Sequence, residues 1–259
     1  MMTIKNALFL LMVYCGCTSG VGIEVDGPII TTPIDSTTQV MDTTMTSKDT
    51  TGIKDPIIKR NIKYLALGDS YTIGEGVPVA QKFPIQLSKI KFDAVESMDV
   101  KIIATTGWTT TNLLDAISRE KVEKDTFDFI TLLIGVNNQY QNKTFSIYEN
   151  EFVTLIDKAI AMVGSDAGKV IVVSIPNYGV TPFAANRNPE KIRTEIQKYN
   201  DYAALIANSK GSKFVNITDI SELASNDLSL LADDKLHPSG SMYKMWVDRI
   251  AREVIEILK

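Results

Sequence analysis

The segment Lys63-Tyr-Leu-Ala-Leu67, which runs directly into Gly68-Asp69-Ser70, is the strongest indication of the fold class. A short apolar run that ends at a glycine is typical of a strand buried on both faces. Similar runs follow at residues 100–104, 128–134, 169–174 and, more weakly, 213–217. Between the runs, apolar residues recur at three- and four-residue spacing, which predicts amphipathic helices. Buried strands that alternate with helices predict an α/β protein whose parallel sheet is covered on both sides.

Polar residues follow several of these predicted strands. In a parallel sheet, reactive groups collect at the carboxyl ends of the strands, so chemistry is expected there. The first strand is followed by Gly68-Asp69-Ser70, the second by Thr106-Gly107-Trp108 and the third by Gly135-Val136-Asn137-Asn138. Near the C-terminus, Asp233-Asp234-Lys235-Leu236-His237-Pro238 contains the only histidine of the chain.

These residue types suit nucleophilic catalysis. A serine hydroxyl needs an imidazole to take its proton, and the imidazole needs an acceptor that fixes its tautomer. Asp234 precedes His237 by three residues, a spacing that can place its carboxylate beside Nδ1 in a turn. Attack on an acyl carbon also requires N–H donors for the oxyanion, which small-residue turns and the Asn137 amide can supply.

The sequence resembles the SGNH hydrolases, also called the GDSL esterase/lipase family, which is defined by blocks that carry a Ser, a Gly, an Asn and a His. Ser70, Gly107, Asn137 and His237 match these blocks in order between residues 62 and 245. The resemblance implies a three-layer α/β/α sandwich, flavodoxin-like, with a parallel sheet of about five strands. It also implies ester hydrolysis without a metal or cofactor. The roles that it implies are Ser70 as nucleophile, His237 as general base and then acid, Asp234 as its orienter, and an oxyanion hole made by the N–H groups of Ser70 and Gly107 and the amide of Asn137.

The sequence departs from the family pattern at three places. Tyr71 stands where Leu is usual, Asn138 stands where Asp is common, and Trp108 replaces a small or polar residue. The Asn138 departure leaves open which hydrogen bonds hold the Asn137 loop. Tyr71, Trp108 and Tyr178 are candidate substrate contacts, although aromatic packing is the commoner explanation for such residues. The loop at residues 177–183 is expected to shape the leaving-group pocket.

Each candidate residue also has a structural interpretation. Ser70 could cap a helix, Asn137 could be a turn residue, and Gly107 could serve backbone conformation alone. Asp233 is the alternative to Asp234, and the spacing to His237 favours Asp234. Asp69 is expected to brace its loop rather than to react.

Composition excludes several other functions. The chain has 259 residues, 27 basic and 31 acidic, with a formal net charge of -4 and no basic run. Nucleic acid is therefore not an expected partner, because binding to phosphates favours a basic surface. Two cysteines and one histidine provide neither a disulfide framework nor a Cys- or His-rich metal site.

The N-terminal segment resembles an export signal. Lys5 and the apolar residues 7–14 suit a secretory signal, since a span of the bilayer needs roughly 20 apolar residues. Gly16-Cys17 resembles a lipobox, although cleavage as an ordinary signal peptide is an alternative. We predict a lipoprotein-type signal peptide at 1–16 with Cys17 as the lipidated residue, a Thr/Ser/Asp-rich tether at 17–56, and the hydrolase domain at 57–259. An edge strand at 21–30 is the alternative to a coil over that part of the tether.

Together these features predict an exported serine esterase, held at the membrane by a lipid anchor rather than by a spanning helix, in the periplasm or at the cell surface. The expected substrates are small-molecule or glycan esters, with acetyl groups on carbohydrate favoured. One alternative is a lysophospholipase- or thioesterase-type lipid esterase. A different class is a non-catalytic glycan-binding module on the same fold.

Overall fold

The computed structural model describes residues 58–259. The predicted signal peptide, Cys17 and the tether lie outside the described residues. The strands are β1 Arg60–Gly68, β2 Val95–Ala104, β3 Phe129–Leu133, β4 Val170–Val173 and β5 Lys213–Val215. The helices are α1 Ser70–Ile73, α2 Phe83–Ser88, α3 Thr110–Glu120, α4 Val136–Tyr140, α5 Phe145–Met162, α6 Pro189–Lys210, α7 Thr218–Glu222 and α8 Gly240–Leu258.

The strands form a five-stranded sheet in the order β2-β1-β3-β4-β5, and every neighbouring pair is parallel. Helices α3, α5 and α6 contact one another in turn, and α8 contacts both α2 and α7. The predicted α/β/α sandwich with about five parallel strands is therefore confirmed. β2 begins at Val95, earlier than predicted, because this edge strand is polar and partly exposed over its first half.

The sheet interior explains why the strands read as continuous apolar runs. Every residue of β3 and β4 is buried, as are the last five residues of β1. Helix α8 buries Trp246, Val247 and Ile250 completely along one face. None of the helices within residues 58–259 is both long and apolar enough to cross a lipid bilayer.

The register of the sheet places the functional loops together. Gly68, the last residue of β1, pairs with Ala104 of β2 on one side and with Leu133 of β3 on the other. These three strands therefore end at one level. In this strand order the chain reverses direction across the sheet between β1 and β3, where ligands bind in open α/β sheets.

Candidate active site

A tight turn at the end of β1 presents Ser70. Asp69 is the N-cap of α1, and its carboxylate accepts a hydrogen bond from the Tyr71 N–H at 3.0 Å. A Cβ on Gly68 would lie 2.1 Å from the Thr72 hydroxyl oxygen and 2.4 Å from the Leu133 carbonyl oxygen. Glycine is therefore required where β1 turns into α1 against β3. The turn places Ser70 at the first position of α1.

Asp69 is fully buried beneath this turn. Burial raises the pKa of its carboxyl group to about 7, although hydrogen bonds from the backbone N–H groups of Tyr71 and Asp69 oppose the shift. Its second oxygen, Oδ2, has no hydrogen-bond partner within the described chain. These contacts agree with the prediction that Asp69 braces its loop, although burial disfavours the charged form of its carboxyl group.

A hairpin-like loop carries the histidine. Leu231 and Pro238 form an antiparallel bridge, and the Ala232 N–H donates to the His237 carbonyl at 2.8 Å. Between them, Lys235 adopts a left-handed conformation with φ of 58°. This turn brings the side chain of Asp234, three residues before His237, next to the imidazole.

Asp234, rather than Asp233, holds the imidazole. Its Oδ1 accepts hydrogen bonds from the N–H groups of Leu236 and His237, each at 2.9 Å. Its Oδ2 lies 2.6 Å from Nδ1 of His237. Burial alone would raise the pKa of the Asp234 carboxyl, but these hydrogen bonds, from His237 first, lower it below the ordinary value. The carboxylate therefore stays charged, and it leaves the other imidazole nitrogen, Nε2, free for a reaction partner.

Two side chains of the loop after β3 hold the loop after β2. The Asn137 amide donates to the Trp108 carbonyl at 3.0 Å, and the Gln141 amide donates to the Gly107 carbonyl at 2.9 Å. Because an amide group carries two N–H donors, Asn137 keeps one of them for a ligand. The backbone N–H groups of Ser70 and Gly107 donate to no other described residue.

Asn138 lies buried beneath this pair of loops. Its Oδ1 accepts from the Thr110 N–H at 3.0 Å, and its Nδ2 donates to the Thr110 hydroxyl at 2.7 Å. The Thr110 hydroxyl in turn donates to Glu151 of α5. These bonds join the Asn137 loop to the start of α3. They hold the loop in place although Asn138 stands where Asp is more common.

The loops enclose one pocket of about 200 Å³. Among the residues predicted as catalytic or oxyanion-binding, it is lined by Ser70, Gly107, Asn137 and His237. Asp234 stands behind His237. The remaining lining residues are largely apolar or aromatic: Tyr71, Thr106, Val136, Tyr140, Tyr178, Phe183 and Leu236.

Of the three aromatic residues predicted as substrate contacts, two line the pocket and one does not. Tyr71 and Tyr178 line the pocket, and the Tyr71 ring lies 5.3 Å from the His237 ring. Trp108 does not line the pocket: its half-buried side chain packs against the core, and only its carbonyl serves the site. The pocket geometry therefore does not support Trp108 as a substrate contact.

The sequence patterns did not indicate Tyr140, nor the residues that support Tyr178. Tyr140 lies three residues after Asn137, at the end of α4, so the helical spacing in the Asn137 block could have indicated it. Tyr178 donates through its hydroxyl to Gln139 at 2.9 Å, and Gln139 donates to Glu195 of α6 at 2.7 Å. No local motif marks those two partners, because they are brought together only by the tertiary fold.

A nucleophile, an imidazole oriented by a carboxylate, and converging N–H donors in one pocket are the groups that acyl transfer requires. The sequence pattern of the GDSL-like lipase/acylhydrolase family matches residues 66–245. The chain belongs to this family and is a serine ester hydrolase.

Solved structures share the fold. The acetylxylan esterase Axe2 from Geobacillus stearothermophilus is 19% identical, with a TM-score of 0.57 over 77% of this chain and 96% of Axe2. TesA is 14% identical, with a TM-score of 0.59 over 75% of this chain and 99% of TesA. A member of the lipolytic protein G-D-S-L family from Veillonella parvula DSM 2008 is 16% identical, with a TM-score of 0.58 over 75% and 96%. No curated protein sequence matches the chain significantly.

Proposed function

We propose that the protein removes short acyl groups, acetyl above all, from carbohydrate, through an acyl-enzyme on Ser70. The observation that carries this proposal is the small pocket that Ser70, Gly107, Asn137 and His237 line together. The ester carbonyl enters this pocket, and the alcohol to which it is bound extends toward the aromatic rim.

The reaction has two balanced steps. Ser70 Oγ attacks the ester carbon while Nε2 of His237 takes the hydroxyl proton, and the oxyanion is stabilised by the N–H groups of Ser70, Gly107 and Asn137. The carbon–oxygen bond to the alcohol then breaks, and His237 gives the proton to the departing oxygen. Water then attacks the acyl carbon while His237 takes its proton; the bond to Ser70 Oγ breaks, His237 returns the proton to Oγ, and the acid leaves. Asp234 stabilises the imidazolium in both steps.

Pocket size supports a short acyl group. At about 200 Å³ it is smaller than the sites, roughly 300–1,000 Å³, that hold drug-sized ligands. The rim supports a carbohydrate, because Tyr140 and Phe183 remain 36% and 43% exposed and offer flat apolar faces. The fold similarity to an acetylxylan esterase is consistent with this choice.

Labelling with a fluorophosphonate tests the nucleophile. The wild-type protein should be labelled, Ser70→Ala should not, and Ser146→Ala, at an exposed serine of α5, should match the wild type. Persistent labelling of Ser70→Ala would exclude Ser70 as the nucleophile.

A series of p-nitrophenyl esters from two to twelve carbons tests the acyl group. We expect kcat/KM to be highest for acetate and to fall with length. A rate that rises to eight carbons and beyond would contradict the acetyl preference. Release of acetate from acetylated glycans, compared with lipid esters, tests the alcohol.

A lipid esterase of the lysophospholipase or thioesterase type is the second candidate. Val136, Leu236 and Phe183 give the pocket an apolar lining that could hold the first carbons of a longer chain. The same ester series separates the two candidates. The non-catalytic glycan-binding alternative is not needed, since the family is one of acylhydrolases.

We further propose that the protein is exported and anchored through lipid on Cys17. The support is the short apolar run at 7–14 and the Gly16-Cys17 pair. Metabolic labelling with palmitate should mark the full chain and not Cys17→Ser, and that variant should leave the membrane fraction. Equal labelling of both chains would exclude Cys17 as the anchor.

A further inference from the structure

A second hollow adjoins the catalytic pocket. It has a volume of about 260 Å³ and shares Tyr140 and Tyr178 with the catalytic pocket as lining residues. Gln139 of α4 and Asn142 after it form part of the remaining wall. The segment before α6 and the first turns of α6 form the rest, including Arg187, Lys191 and Glu195. A substrate whose ester lies at Ser70 and whose alcohol passes the two tyrosines would reach this hollow.

The Arg187 guanidinium is fixed at the boundary between the two cavities. Its Cζ lies 4.5 Å from the centre of the Tyr140 ring and 5.9 Å from that of Phe183. Its Nη2 donates to the Tyr140 hydroxyl at 3.0 Å. An arginine stacked on aromatic rings in this way is oriented before any ligand arrives.

No carboxylate of residues 58–259 forms an ion pair with Arg187, as is also true of Arg119 and Arg252, whereas Arg60, Arg193 and Arg249 each have such a partner. Lys191, the second cation of the hollow, lies 3.7 Å from Glu195. Glu195 also accepts a hydrogen bond from Gln139, so its charge is shared between two donors. The hollow therefore has two cations against one anion, and most guanidinium donors of Arg187 are available.

We propose that Arg187, assisted by Lys191, binds a carboxylate on the alcohol side of the substrate, and that the enzyme selects acetylated glycans whose sugars carry carboxylates. The guanidinium fork matches a carboxylate with two parallel hydrogen bonds. The exposed parts of the tilted Tyr140 and Phe183 rings provide an apolar surface for the sugar between the ester and this charge. This inference rests on the proposed glycan esterase function and specifies its substrate class.

A matched pair of substrates tests the selection. An O-acetylated oligogalacturonide and the same oligomer after methyl esterification of its carboxylates differ in charge and not in the acetyl ester. We expect the wild type to have a kcat/KM about tenfold or more higher on the charged oligomer, mainly through KM, because hydrogen bonds to charged groups are strong. Raising the salt concentration should reduce this ratio.

Variants of Arg187 assign the effect. Arg187→Gln should bring the ratio close to one and Arg187→Lys should give an intermediate ratio, since lysine keeps the charge but not the fork. Arg119→Gln, at an exposed arginine of α3 that lines neither cavity, should keep the wild-type ratio. Because each ratio is measured on one preparation, partial misfolding cannot change it. A wild-type ratio near one, or a ratio unchanged in Arg187→Gln, would overturn the proposal.

Binding to Ser70→Ala separates this inference from the proposed function. If neither oligomer is deacetylated but the charged one binds Ser70→Ala and not Ser70→Ala/Arg187→Gln, the carboxylate site stands and the acetyl-glycan activity fails. If deacetylation proceeds without dependence on Arg187, the activity stands and the carboxylate site fails. Competitive inhibition by glycerol 3-phosphate but not by galacturonate, lost in Arg187→Gln, would overturn the glycan assignment in favour of a phosphate-bearing substrate.

Discussion

Asn138 and Thr110 exchange two hydrogen bonds in the buried space beneath the active-site loops: the Asn138 amide oxygen accepts from the Thr110 N–H at 3.0 Å, and its NH₂ group donates to the Thr110 hydroxyl at 2.7 Å. The hydroxyl has one proton, which it donates to Glu151. Its oxygen can therefore only accept from residue 138, so an amide fits there and a carboxylate does not. Asn138, which departs from the usual family pattern, is thus matched to Glu151: because Glu151 accepts the Thr110 hydroxyl proton, residue 138 must be a donor to that hydroxyl.

This relationship predicts that Asn138→Asp destabilises the protein. The new carboxylate would face a hydroxyl oxygen whose proton is already used, beside a second negative charge. The loss should be about 1–3 kcal/mol, the usual cost of an unsatisfied buried group, and kcat should fall because Asn137 is displaced. Glu151→Gln in the same chain should recover much of the loss, because Gln can donate to the hydroxyl and free its proton for the new carboxylate. Urea denaturation of the four proteins in a double-mutant cycle measures this coupling; additive effects would disprove the match.

The turn between β1 and α1 predicts that Gly68→Ala is severely disruptive. The added methyl group would overlap the Leu133 carbonyl oxygen of β3, which is backbone and cannot rotate away. We expect a loss of several kcal/mol, in the upper range for overpacking, and a loss of activity because Ser70 follows directly.

Gly168→Ala is the matched control for that substitution. Its Cβ would meet only a side-chain oxygen of the exposed Asp166, at 3.3 Å. Thermal denaturation should show this variant within about 0.5 kcal/mol of wild type, the usual range for surface changes. Equal stability of the two alanine variants would refute the steric argument.

Burial of Asp69 predicts an unusual dependence of stability on pH. Its pKa is raised to about 7 in the folded protein, so the folded state holds a proton that the unfolded chain releases above about 4. Between these values the folded state binds more protons, and the contribution of Asp69 to stability therefore falls as the pH rises.

Asp69→Asn should remove this dependence, since its oxygen can still accept the Tyr71 N–H. Relative to wild type, the variant should gain stability between pH 5 and pH 8 when unfolding is followed in urea. A difference between the two proteins that stays constant over this range would show that Asp69 does not titrate there.

Local sequence patterns predict the parts of this structure that depend on neighbours in the chain. The strands, the turn at Gly68-Asp69-Ser70 and the pairing of Asp234 with His237 belong to this group, because short spacing restricts their geometry. The hydrogen bonds of Asn138 with Thr110, the support of Tyr178 through Gln139, and the position of Arg187 on Tyr140 join segments far apart in sequence. Their residues carry no motif, so only the assembled fold shows them. Trp108 illustrates the converse: its place beside Gly107 suggested a substrate contact, but its side chain packs against the core.

The two oxygens of Asp234 predict the outcome of an isosteric change. In Asp234→Asn, the amide oxygen can keep the N–H bonds of Leu236 and His237, while the NH₂ group takes the place of Oδ2 beside Nδ1 of His237. That nitrogen would then have to accept, which places the proton on Nε2 and removes the base that Ser70 needs. We expect kcat to fall by roughly three to four orders of magnitude with little change in KM, as for a triad held in the wrong tautomer.

Asp233→Asn is the control for this substitution and should keep full activity, since Asp233 makes no bond to the imidazole among the described residues. The pKa of the Asp234 carboxyl lies below its ordinary value, so its stabilising contribution is complete above about pH 4 and is lost as the pH falls through the folded pKa. The gap in stability between wild type and Asp234→Asn should therefore narrow only in strong acid. A fall in activity below tenfold for Asp234→Asn, or an equal fall for Asp233→Asn, would remove Asp234 from the role that its two hydrogen-bonded oxygens suggest.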